Sequence, residues 1–154
     1  METKQNRITI KHSIIICKPK ELVWDYTQNY ENRCHWDDTI LEATVLQSTP
    51  NRIVKLKAKR NTVMTFHHKL DDRPHKTSLV AKEIISPFIE SAGGLWSYDK
   101  IGKGTIWKQT NTIVLKNNLM ARLMRPFYKW LFTNQTISSM QMAKKRIEMT
   151  NVIP

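Results

Sequence analysis

Residues 118–149 contain no glycine and carry Leu119, Met120, Leu123, Met124, Phe127, Trp130, Leu131, Ile137, Met140 and Ile147 at helical spacing. The pattern predicts one long amphipathic helix. Pro126 should kink or divide it, because proline removes a backbone donor and its ring crowds the preceding turn. The segments before it are short and alternate between apolar and polar residues, which is the signature of strands. Many strands followed by one long helix is a strong restriction. An antiparallel sheet hides one of its faces, and this helix is the only element large enough to cover it.

The strands can be read in order. "RITIKHSIIIC" places Ile8, Ile10, Ile14 and Ile16 on one face and Thr9, Lys11 and Ser13 on the other. "KPKELVWDYTQNYENRCHW" then reads as two short helices: Pro19 suits a first helical position, Leu22, Val23 and Tyr26 recur at helical spacing, and Asn29 breaks the first. "TILEATVLQS" is the next strand. In "RIVKLKAKR", Val54, Leu56 and Ala58 point inward and Lys55, Lys57 and Lys59 outward. A hairpin turn at Arg60-Asn61 leads into "TVMTFHHKL", with Met64, Phe66, His68 and Leu70 on one face, and "DDRPHK" reads as a loop. "TSLVAKEIIS" places Thr77, Leu79, Ala81 and Glu83 inward if Lys76 and Lys82 face water. "IESAGGLWSYD" and "TIWKQTNTIVLK" follow, the second with Trp107, Gln109, Asn111, Ile113 and Leu115 opposite Lys108 and Lys116. Hairpin-length connections make the sheet antiparallel. The class is α+β, with about seven strands.

All four glycines, Gly93, Gly94, Gly102 and Gly104, fall between these last two strands or inside the first of them. A phosphate-cradling loop places glycines between a strand and a helix N-terminus. Here "GKGT" runs from strand into strand, so Gly102 and Gly104 are expected to supply the positive φ of a turn. Gly93 and Gly94 lie within a strand, where glycine marks a bend or a close approach.

Together these stretches resemble the START-like superfamily, also called the polyketide cyclase/dehydrase or SRPBCC proteins. The resemblance rests on the opening strand running into "KPKELVWDYTQNYENRCHW", the glycine-bearing "SAGGLWSYD", the turn and strand "GKGTIWKQTNTIVL", and a terminal helix ending "AKKRIE". It spans the whole chain and implies a helix-grip (START/Bet v1-like) fold: a curved sheet around the C-terminal helix with an apolar cavity between them. Residues 1–154 would then be a single START-like ligand-binding domain. The ligands implied are hydrophobic small molecules such as lipids, sterols, quinones or polyketides.

Within that frame the inward polar residues are informative, because a buried polar group needs a partner or a ligand. Phe66, Trp96, Tyr98 and Trp107 are the expected cavity walls. His68, Gln109 and Asn111 would orient the polar end of a guest, and Met120, Met124 and Phe127 would meet it from the helix. Trp24, Trp36 and Trp130 are expected as core. An enzyme of cyclase or dehydratase type is the alternative, with His68 or Glu83 as acid or base. No metal or cofactor is expected. His67 and His68 point to opposite faces of a strand, and Cys34-His35 has no second ligand pair at metal spacing. Neither cysteine has a recognisable catalytic base motif, and Cys17 is expected to pack as a small hydrophobe.

The formal net charge is +12, and no acid occurs between Asp99 and Glu148. Arg122, Arg125, Lys129, Lys144, Lys145 and Arg146 share the terminal helix with aromatic residues. Such a helix suits peripheral contact with an anionic membrane. An accessory protein binding RNA or a ribosome is a second alternative, but no RRM, KH or helix-turn-helix signature supports nucleic acid as the partner. The N-terminal residues have no apolar stretch of signal-peptide length, so a cytoplasmic monomer or homodimer with reduced thiols is expected.

Overall fold

The computed structural model describes residues 6–150. Among them, strand β1 (Arg7–Ile16) leads through helix α1 (Lys20–Gln28), a single 3-10 turn (Tyr30–Asn32) and the short α2 (Arg33–Trp36) into six further strands. These are β2 (Ile40–Gln47), β3 (Ile53–Ala58), β4 (Thr62–Asp72), β5 (Lys76–Ile85), β6 (Ile89–Ile101) and β7 (Gly104–Leu115). The chain then enters α3 (Leu119–Met149). The seven strands form one antiparallel sheet in the order β1-β7-β6-β5-β4-β3-β2. Only the first strand is out of sequence, closing beside the last.

Local chemistry explains the joints. Asn118 caps α3, its side chain accepting the Ala121 N–H at 2.8 Å. Asn29 ends α1 and caps the 3-10 turn by accepting from the Glu31 N–H. Arg60 and Asn61 both take positive φ, 61° and 53°, as a two-residue hairpin turn demands. The other end of α3 is tied to β1. Glu148 accepts the Cys17 backbone N–H at 2.9 Å, which holds its carboxyl below the usual range, and Lys144 donates to the Ile15 carbonyl.

Several expectations change. Pro126 lies inside an unbroken α3. Gly102 has positive φ, but Gly104 does not; it is small because a Cβ there would stand 2.7 Å from the Ile16 carbonyl oxygen. Cys17 is exposed. β4 runs on to Asp72, so the loop is shorter than its composition implies.

Two register shifts invert face assignments. Phe66 pairs with Ala81 but Thr65 pairs with Glu83, so Lys82 is an extra residue on β5. A bulge of this kind reverses the alternation beyond it. Glu83 therefore faces outward and is exposed, and Ile84 takes its place opposite Met64. Likewise His68 pairs with Leu79 and Leu70 with Ser78, so Lys69 is the bulged residue and Leu70 turns out to solvent.

The glycine pair marks where the sheet opens. β5 and β6 pair only from Lys76↔Ser97 to Val80↔Gly93. Beyond that point β5 stays with β4, and β6 stays with β7.

α3 approaches β1 most closely, and its later turns pack on Trp96 and Tyr98 of β6 and Trp107 of β7. Three apolar clusters result. One joins Trp36, Trp96, Tyr98 and Trp107 to Met140, Ala143 and Ile147 in the last turns of α3. A second gathers Tyr30, Ile40, Val54, Leu56 and Phe66 at the β2 side. The third sets Ala121, Tyr128 and Phe132 of α3 against Ile8, Ile10, Leu115 and Phe88.

The first half of α3 reverses the helical expectation. Leu119, Met120, Leu123, Phe127 and Trp130 are between 46 and 71 % exposed. The apolar residues of this helix occupy two faces, and the sheet takes the one bearing Ala121, Ser139, Met140, Ala143 and Ile147. Trp130 is accordingly not core, whereas Trp24 and Trp36 are.

Candidate functional site

A cavity of about 180 Å³ lies where the three clusters fail to meet. By comparison, a dry apolar cavity of roughly 150 Å³ accepts a benzene. Its floor is the concave face of the sheet: Leu56, Phe66, Leu79, Ala92, Gly93, Gln109, Asn111 and Ile113. Phe132, Gln135, Thr136 and Ser139 of α3 cover it, and Tyr30, Arg33 and Trp36 wall it from the two short helical turns. Lys59 and Arg60 of the β3–β4 turn, with Thr39, line its exposed rim. Most of this surface is apolar, with a few placed polar groups, which is the ordinary composition of a small-molecule site.

Of the residues singled out from the sequence, Phe66, Trp96, Gln109 and Asn111 line this space. The others are placed elsewhere. Tyr98 and Trp107 are fully buried among the aromatic rings of the first cluster. Met120 and Phe127 face away from the sheet, and half-buried Met124 does not reach the cavity. His68 sits behind the wall, reached through Tyr30.

The polar groups fall into two networks. In the first, Tyr30 Oη and His68 Nε2 are 2.8 Å apart, and His68 Nδ1 is 2.8 Å from Thr77 Oγ1. Thr77 spends its own hydrogen on the Leu70 carbonyl. Thr77 therefore accepts from Nδ1–H, and Nε2 accepts from the tyrosine hydroxyl. Burial, then the Arg52 guanidinium 3.4 Å from Nδ1, lowers the His68 pKa to about 4, so the ring is neutral at pH 7. Burial also raises the Tyr30 pKa. Arg52 is in turn held by Asp71 and by Gln28.

The second network runs along the floor. Trp96 Nε1 donates to Asn111 Oδ1 at 3.0 Å, and Asn111 Nδ2 donates to Gln109 Oε1 at 2.9 Å. Gly94 permits this arrangement, since a Cβ there would stand 2.7 Å from Asn111 Oδ1. Above it, the Arg33 guanidinium lies 4.6 Å from the ring centre of Trp36 and 5.1 Å from that of Trp96, and is paired with Asp37. Among the described residues no cluster of His, Cys, Asp or Glu has the makings of a metal site.

No protein-family model matches the sequence, and no curated protein matches it. Solved structures do match. A protein from Thermus thermophilus aligns with a TM-score of 0.80 at 16% identity, covering 90% of this chain and 96% of its own. The ZhuI aromatase/cyclase from Streptomyces sp. R1128 aligns with a TM-score of 0.78 at 14% identity, over 92% and 94% of the two chains. A START superfamily protein from Mycobacterium smegmatis gives 0.77 at 11% identity, over 91% and 97%. The fold is the START-like helix grip.

Within this START-like frame, sequence reasoning missed Tyr30 and Arg33. A signal was present. Tyr30, Arg33 and Trp36 stand three residues apart, a spacing that aligns side chains along a 3-10 or helical turn. All three line the cavity.

Proposed function

We propose that this protein binds a hydrophobic small molecule, of lipid, quinone, polyketide or aromatic type, in the space between sheet and α3. The observation that carries the reading is the cavity itself, apolar on most sides and framed by buried polar groups. Solved structures with this fold include an aromatase/cyclase and a START superfamily protein, which is consistent with a ligand of that kind. Thr136 faces the cavity from α3, so Thr136→Phe puts a ring into it. The native protein is expected to bind an environment-sensitive dye such as 1-anilinonaphthalene-8-sulfonate with one-to-one stoichiometry. Thr136→Phe is expected to weaken that binding tenfold or more. Equal binding by both proteins, or none by either, sinks the reading.

A second reading, catalysis of cyclase or dehydratase type, is favoured by one observation: Tyr30 lines the cavity with a buried histidine hydrogen-bonded behind it. Tyr30 is then the group that touches the substrate, and His68 positions it. Glu83, on the far face of the sheet, has no part.

The outer face of α3 completes the proposal. Leu119, Met120, Leu123, Phe127 and Trp130 form an exposed apolar stripe beside Arg122 and Lys129. Cations flanking exposed Leu, Phe and Trp are the chemistry of an amphipathic helix lying in an anionic bilayer surface. We assign this face to peripheral membrane contact. Cosedimentation with vesicles containing phosphatidylglycerol is expected, weakened by salt and by the triple change Leu123→Ser, Phe127→Ser and Trp130→Ser. Equal recovery with purely phosphatidylcholine vesicles refutes the assignment. So does a dimer dissociated by the same triple change, which gives the face to a second copy instead.

A further inference from the structure

We infer that the guest carries a bare hydrogen-bond-accepting oxygen, of carbonyl class, which meets the side-chain amide of Gln109. The inference rests on the cavity reading above and narrows the ligand it holds. Its starting point is the indole of Trp96, which can donate a hydrogen bond but never accept one. Bonding to Trp96 Nε1 fixes the Asn111 amide with Oδ1 toward the indole and Nδ2 away from it. Asn111 Nδ2 is again a donor, so the Gln109 atom it meets is the acceptor, Oε1. One donor-only ring therefore orients two amides in succession. What the relay leaves over is Gln109 Nε2, which is buried and has no partner within the protein.

Gln109 is only 4 % exposed, and it lines the cavity. Among the described residues, the other buried side-chain atoms without a partner are Asn6 Oδ1, Trp36 Nε1, Trp107 Nε1 and Arg125 Nε. Of these residues only Trp36 also lines the cavity, and its indole nitrogen is a donor too. Among the described residues, the fully buried side-chain atoms of the cavity wall without a partner are thus both donors. A buried hydroxyl on a guest would need an acceptor for its own hydrogen, whereas a ketone or quinone oxygen needs only donors. A donor left unsatisfied in a dry site costs free energy, and a matching acceptor recovers it.

The test uses a pair of probes alike in shape, 2-acetylnaphthalene and 2-isopropenylnaphthalene, in which a carbonyl oxygen replaces a methylene. Affinities are measured by calorimetry on the full chain and on Gln109→Met, which keeps the length of the side chain and removes the amide. The ratio of ketone to hydrocarbon affinity is expected to be about tenfold higher in the native chain than in the variant. In the native chain, the side-chain amide resonances of Gln109 are expected to shift with the ketone and to stay nearly unmoved by the hydrocarbon. This second measurement holds even if the variant does not fold. An unchanged ratio, or equal resonance shifts with both probes, overturns the acceptor while leaving the cavity reading intact. Failure of both probes to bind overturns the cavity reading and the inference with it.

Discussion

Trp107→Ala is expected to destabilise the protein by about 3–5 kcal/mol, the range for truncating a large buried aromatic. Trp107 has no exposed surface. Its ring lies 5.6 Å from Trp36, 5.6 Å from Trp96 and 6.1 Å from Tyr98, centre to centre. Removing it opens a void among three rings that are themselves packed against β6, α2 and α3, so little can collapse to fill it. Against a total stability of roughly 5–15 kcal/mol for a domain of this kind, such a loss approaches unfolding. Urea denaturation at pH 7 reads it directly. Trp130→Ala is the control: that ring is 62 % exposed, and a surface truncation of this sort is expected to stay within about 0.5 kcal/mol. Equal costs at the two positions are incompatible with the aromatic cluster described above.

The second large effect is a dependence on pH. His68 has an ordinary value of 6.5 in the unfolded chain and about 4 in the native state, because it is buried and faces Arg52. The folded form resists protonation, so the unfolded chain binds the extra proton first. The contribution is complete above the unfolded value and is lost as pH falls from 6.5 toward 4. Integrated over that interval it amounts to roughly 3 kcal/mol. The charged and titratable groups acting on the ring are Arg52 and Arg33, which oppose its protonation, Asp71, which favours it, and Tyr30, which donates to it. Urea unfolding at pH 7 and pH 4.5 is expected to show a stability drop about 2 kcal/mol smaller in His68→Gln than in the native chain. A histidine ring signal that stays in the neutral form down to pH 5 makes the same point without a variant. A drop of equal size in both proteins contradicts the assignment.

The architecture was legible because its signals are local and periodic. Ile8, Ile10 and Ile16 in β1, and Val54 and Leu56 in β3, face inward as strict alternation demands. The cavity was legible only in part. Alternation carries across a strand until a bulge resets it, and nothing in the residues at Lys69 and Lys82 announces one. Alternation therefore puts Leu70 and Glu83, beyond those two positions, on the wrong face. In α3 the difficulty is different. A helix with apolar residues on two faces does not say which face the sheet will take. The choice went to the side with Ala121, Ser139 and Ala143, whose small side chains allow close approach. Tyr98 and Trp107 face inward as expected, yet lie in the cluster where α3 packs tightly, beyond the end of the cavity. Depth along a strand is a tertiary property that alternation does not encode.

Gathering four of the five tryptophans into one cluster has an evolutionary consequence. Trp107, Tyr98, Met140 and Ile147 hold the scaffold together away from the space offered to a guest. Thr136, which lines the cavity from α3 and belongs to none of the three clusters, can then change in size and polarity without disturbing that packing. If the cavity holds a guest as proposed, a change at such a position can alter which small molecule fits while the architecture stays the same.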